Sequence, residues 1–246
     1  MKNVVTTFVS AVLMTISCQN TPESIPAKEP VFYNICLILD GTDRLDKQQA
    51  IPTVDIDFVM LLAEKIQHYG EGTLWLSWID DNSENNSNAN LILSPAPVRS
   101  QLAPKKDYET RSEYSKRVNE LNQKFIADSV EFERSRLERL SKFRGEALEV
   151  IKIAYSERVA RNRRGSDING AINLGGRLIQ SNPNANVSVN HLILVSDLVD
   201  NVGKSIEVVL DNITITSVNQ SFSKHSLGSV VQRELASLDQ IDYIFK

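Results

Sequence analysis

Beyond residue 30 the hydrophobic and polar positions fall into alternating patterns. Residues 31 to 39 (VFYNICLIL) are an almost unbroken apolar run, which a strand buried on both faces of a sheet requires. Cys36 within it reads as a small core hydrophobe. The run stops at the polar turn Asp40-Gly41-Thr42-Asp43-Arg44. From 54 to 69, Val54, Phe58, Leu61, Leu62, Lys65 and Ile66 recur on related faces of a helix, which Gly70 and Gly72 end. Residues 73 to 79 and 90 to 94 read as second and third strands, joined by a polar hairpin loop from 80 to 89 in which Asp80-Asp81 is expected to be solvated. Residues 191 to 196 and 213 to 218 give two more strands, with helices over 169 to 179 and 227 to 238.

Strands alternating with helices predict an α/β fold with a doubly wound, mostly parallel sheet. Such sheets take ligands at the carboxyl ends of their strands, near the point where strand order reverses. Asp40 and Asp197 each follow an apolar strand. The pattern is interrupted by a highly charged block with no proline and one glycine between 107 and 156, giving a helical insertion of about residues 105 to 160. Tyr114, Val118, Leu121 and Phe125 form one apolar stripe, and Leu137, Leu140, Arg144, Leu148 and Ile151 a second with shifted phase. A continuous helix of that length would reach ~75 Å. A helical hairpin or a bent projecting helix is therefore expected, of coiled-coil character, either solvated or acting as a partner-binding arm.

The first thirty residues carry an address. Lys2 precedes an apolar stretch from 4 to 16, too short for a stable spanning helix, and the stretch ends at Ile16-Ser17-Cys18. This resembles the lipobox of bacterial lipoproteins, although Thr15 stands where that family prefers a branched residue. The resemblance implies a signal peptide over 1 to 18 and acylation of Cys18, an anchor worth ~0.8 kcal/mol per buried methylene. Residues 19 to 30 read as a flexible tether and 31 to 246 as the folded domain. Gln19 in place of the aspartate that marks inner-membrane retention implies an outer-membrane protein of the cell envelope, facing the periplasm.

Composition narrows the picture further. The chain has 246 residues and a formal net charge of -4, which argues against a general nucleic-acid binder. Two cysteines and three histidines argue against a structural zinc site or a disulfide framework. Neither His68 nor His225 has ligand-like neighbours, and His191 reads as a packed or edge residue. Arg161, Arg163 and Arg164 form a short basic cluster in a loop.

Asp40-Gly41-Thr42 after the first strand, Gly165-Ser166-Asp167 before a helix and Ser196-Asp197 after a later strand resemble, in order and local sequence, the von Willebrand factor A family. The resemblance spans about residues 31 to 245, interrupted by the helical insertion. It implies a metal-ion-dependent adhesion site built from Asp40, Thr42, Ser166 and Asp197, holding Mg²⁺ and leaving one position for a partner's carboxylate. A small hard cation wants about six oxygens near ~2.1 Å. Arg44 replaces the second serine of the family's first motif. A unit charge at ~4 Å from another costs ~4 kcal/mol at an effective dielectric of ~20, so Arg44 either points away or substitutes for the metal.

The same residues have plainer uses. Thr42 and Ser166 suit helix caps, and Asp43, Asp46 and Asp167 suit turns or caps. Asp40-Gly41-Thr42 also resembles the opening motif of haloacid-dehalogenase-type phosphatases, but Ile38 then occupies the nucleophile's place, and its side chain has no nucleophilic atom. The sequence thus points to a membrane-anchored binding module for an envelope protein, not an enzyme, with no small-molecule substrate inferred. A metal-free scaffold that displays the helical arm is the alternative.

Overall fold

The computed structural model describes residues 31–41, 51–156, 159, 165–185, 188–199, 202–218 and 231–245. Six strands form one sheet in the order β3-β2-β1-β4-β5-β6. They are β1 (Val31–Asp40), β2 (Gly70–Ile79), β3 (Ala89–Leu93), β4 (Val189–Val195), β5 (Ile213–Val218) and β6 (Arg233–Leu235). β3 runs antiparallel to β2, and every other neighbouring pair is parallel. The expected doubly wound, mostly parallel α/β architecture is present.

The apolar run of β1 is explained by its central place. Tyr33, Ile35, Leu37 and Leu39 enter one core, with α1 (Ile56–Tyr69), α2 (Arg111–Ala154) and the closing 3-10 helix Leu238–Phe245. Cys36 and Ile38 enter the other, with α3 (Ile168–Gln180). A strand with period-two side chains needs apolar residues at both parities to satisfy two cores. Asp55 caps α1 by accepting from the Phe58 amide at 2.9 Å. Gly70 ends α1 as expected, but Gly72 lies inside β2. There an added Cβ would meet the Tyr33 carbonyl oxygen at 1.8 Å.

Of the two forms expected for the insertion, the hairpin is not formed and a single helix is. It is α2, of 44 residues, about 66 Å long at ~1.5 Å per residue. A capping box starts it: Thr110 accepts from the Glu113 amide while Glu113 reaches back to the Thr110 amide. The second apolar stripe is borne out at Leu140 and Ile151, which pack against the core, and corrected elsewhere. Leu137 and Leu148 are exposed, and the buried positions are Phe143, Ala147, Val150 and Ala154. These keep the phase of Tyr114, Val118, Leu121 and Phe125, so one face runs the whole length. Two alanines were too small to stand out as core residues, yet they let the helix backbone approach the sheet. Only the carboxyl-terminal part of α2 is buried; along its first half, residues 97 to 102 form an open cleft of about 430 Å³ with Val118, Leu121 and Phe125.

Two further expectations are overturned. The helix expected over 227 to 238 is, in its described part, strand β6 followed by the 3-10 helix, while 219 to 230 lie outside the described residues. Helical spacing there gives way because β5 offers unpaired backbone groups at Thr216–Val218, and β6 satisfies them. Asp80 is buried and not solvated: its carboxylate accepts from Trp78 Nε1 at 3.2 Å and from the Asn82 amide at 2.9 Å. Among the described residues, no helix is long and apolar enough to cross a membrane.

Candidate functional site

The chain lays β1, β2 and β3 outward on one side and β4, β5 and β6 on the other, so strand order reverses between β1 and β4. Registers pair Asp40 with Ile79 of β2 and Leu39 with Val195 of β4. The carboxyl ends of three adjacent strands thereby converge on Asp40. This is where a doubly wound sheet presents ligand-binding groups.

Asp40 is fully buried, and Ser196 Oγ donates to its Oδ2 at 2.5 Å. That hydroxyl accepts in turn from the Leu198 amide at 2.9 Å, so its proton is directed at the carboxylate. Asp197 is also buried, and its Oδ1 accepts from the Val199 amide at 3.0 Å, closing an Asx-type turn. Leu198, with φ of 60°, adopts the left-handed region that costs a non-glycine residue ~1–2 kcal/mol. Such local strain is characteristic of functional turns. Side-chain and backbone bonds together hold Ser196 and Asp197 on the loop beside Asp40.

The first turn is held from another direction. A Cβ added at Gly41 would lie 1.7 Å from the Ala154 carbonyl oxygen. Position 41 therefore admits only glycine, because the last turn of α2 abuts the backbone that leaves Asp40. The insertion is thus joined physically to the site, which sequence spacing alone does not reveal.

Ser166 is buried in the loop before α3. The Asp167 amide donates to the Asp80 carbonyl at 2.8 Å, locking this loop to the end of β2. Asp167 caps α3 by accepting from the Gly170 amide at 2.9 Å. The expected capping role thus belongs to Asp167 and not to Ser166. The fully buried Asp167 carboxylate also takes Lys204 Nζ at 2.7 Å, and Lys204 reaches Asn82 Oδ1 at 3.1 Å. The bond to Asp167 raises the pKa of Lys204 and keeps it charged. Arg177 pairs with Glu84 nearby at 2.5 Å, and this bond lowers the Glu84 pKa.

Of the residues expected in the site, Asp40, Ser166 and Asp197 come to the same sheet edge, on or beside adjacent strand ends. Thr42, Arg44, Asp43 and Asp46 lie outside the described residues, as do Cys18, His225, Arg161, Arg163 and Arg164. Sequence reasoning missed Ser196, Asp80 and Lys204. The Ser196-Asp197 pair at a strand end was the available signal for Ser196. Asp80 and Lys204 carried none, because their roles depend on contacts with Trp78 and Asp167.

The donors at this edge are carboxylate and hydroxyl oxygens, which suit a hard cation such as Mg²⁺. Among the described residues, no three of His, Cys, Asp or Glu are grouped to hold a metal ion. A cation here would rely on the Asp40 and Asp197 carboxylates, on serine hydroxyls and on water. Cys36 stays out of this chemistry: burial in the apolar core pushes its thiol pKa up.

No known protein family and no curated protein matches the sequence.

Proposed function

We propose that this chain is an exported lipoprotein of the cell envelope, acylated at Cys18, whose folded part is a von Willebrand factor A-like protein-binding module. Residues 19 to 30 tether it to the outer membrane on the periplasmic side. Asp40, Thr42, Ser166 and Asp197 form a degenerate adhesion site that holds Mg²⁺ and captures an acidic residue of an envelope protein. No catalytic step is assigned to it. The observation that carries this reading is the bond from Ser196 to the buried Asp40 carboxylate across the reversal in strand order. It brings the first-motif aspartate beside the turn that bears Asp197. The strand order and the antiparallel β3 are compatible with the resemblance.

A metal-free scaffold is the second reading, favoured by the end of α2 packed on Gly41. In it the site serves to brace the helix, and Arg44 neutralises the carboxylates. The phosphatase reading gains no support, since Ile38 is fully buried in the core beneath α3.

Thermal-shift titration with Mg²⁺ and Mn²⁺ separates the first two readings. A cation at ~100 times its Kd stabilises the folded state by ~2.7 kcal/mol, a rise in Tm of about 5–10 °C for a domain of this size. The rise is expected in the wild type and absent in Asp40→Asn and Asp197→Asn. A wild type that ignores both cations selects the scaffold. Intact-mass measurement of the chain recovered from membranes tests the anchor, and an unmodified Cys18 removes it.

A further inference from the structure

The whole-length face of α2 leaves a second apolar stripe unused. Ile126, Val130, Leu137 and Leu148 are 60%, 65%, 61% and 45% exposed. At ~100° per residue these four lie within about 40° of one another, roughly 120° around the helix from the buried face. A spacing of about 11 residues returns a helix to the same side after three turns, and Ile126 and Leu148 stand at equal sequence distance before and after Leu137. Under a two-fold axis at Leu137, an isologous contact sets each Ile126 against the partner's Leu148, Leu137 against its own copy, and Val130 against the aliphatic stem of the partner's Arg144.

Charge selects the direction. Glu133 and Arg144 sit on the same line as the stripe, with side chains 57% and 51% exposed. Antiparallel pairing about Leu137 brings Glu133 within about one helical turn of the partner's Arg144. Parallel pairing sets Glu133 against its own copy. Charges flanking an apolar seam fix orientation in this way. Their present partners lie at 3.2 and 3.6 Å: Arg136 is half-buried and also held by Gln67, while Asp57 is exposed. A pair at the surface such as Arg144–Asp57 is worth little and is readily exchanged.

We propose that α2 pairs two copies of this chain antiparallel through Ile126, Val130, Leu137 and Leu148. The seam is about 33 Å long. With a width of ~10 Å it covers well under the ~800 Å² per partner of a standard interface, so association is concentration-dependent. The inference concerns α2 alone and is independent of the cation site.

The test uses the full chain with Cys18→Ser, leaving Cys36, which is fully buried, as the remaining native thiol. Sedimentation equilibrium is expected to show the 27.6 kDa chain rising towards twice its mass with concentration. Leu137→Glu is expected to move that midpoint at least tenfold higher, with unchanged circular dichroism because the position is exposed. Under mild oxidation, Leu137→Cys should cross-link to itself, and Ile126→Cys should cross-link to Leu148→Cys more than to itself. A monomer at every concentration, an unmoved midpoint, or dominant self-cross-linking of Ile126→Cys overturns the proposal. So does a monomer that floats with phosphatidylcholine vesicles and loses this with Leu137→Glu, which would make the stripe a bilayer contact.

Discussion

His191 illustrates how a residue that reads as simple packing acquires a measurable property. It is buried on β4, facing the closing 3-10 helix, and its pKa falls from 6.5 to about 4. Burial is the main cause and the Arg233 charge adds to it, while a hydrogen bond with the Ile244 backbone opposes both. Between these two values the unfolded chain binds a proton that the folded chain refuses. Its contribution is therefore intact above about pH 6.5 and declines as pH falls towards 4, with a limiting slope of ~1.4 kcal/mol per pH unit. The urea midpoint is expected to fall between pH 7 and pH 5, and His191→Gln to flatten that slope. An equal slope in both proteins would show that His191 is already protonated when folded. At the same scale Ser196 shows what spacing misses: it is an ordinary hydroxyl in the sequence, yet Asp40 lies opposite it one strand away.

Helix α2 sets the lesson at the scale of elements. Its charged composition and its capping box at Thr110 make a helix legible, but not which part of it the domain buries. Phe143 is 1% exposed and packs against the sheet, whereas Leu137 stands in solvent. Phe143→Ala is expected to destabilise the fold by ~3–5 kcal/mol, the usual loss for a buried aromatic. Leu137→Ala, studied below the concentration at which copies pair, should change stability by less than ~0.5 kcal/mol. Chemical denaturation measures both, and comparable losses would refute the assigned burial. The reversal of importance between a phenylalanine and a leucine in one helix follows from phase alone.

For the molecule as a whole, α2 divides into an anchored and a projecting part. Residues 143 to 154 belong to the core shared with α1 and β1, and the half before Phe132 meets chiefly residues 97 to 109. Local stability follows buried apolar contact. Amide exchange is therefore expected to be slow over 143 to 154, at the rate of β1 and β4, and faster by orders of magnitude over 111 to 130. Uniform protection along α2 would mean that the projecting half is covered. The anchored end is also the end that touches Gly41.

Five of the six strands, their mostly parallel arrangement, two core helices and the sheet end that gathers Asp40, Ser166 and Asp197 were legible in the sequence, whereas β6 was read as helix. Each depends on local periodicity or on the rule that strand ends carry ligands. β1 announced itself because two cores demand unbroken apolarity, and Asp40 because it ends that run. Tertiary structure alone decided that Ser196 bonds Asp40, that Asp80 and Asp167 are buried with Asp167 paired to Lys204, and that α2 is one helix whose end abuts Gly41. The physical reason is common to all of these. They are contacts between segments far apart in the chain, and a carboxylate's environment is set by what packs against it, not by its neighbours in sequence.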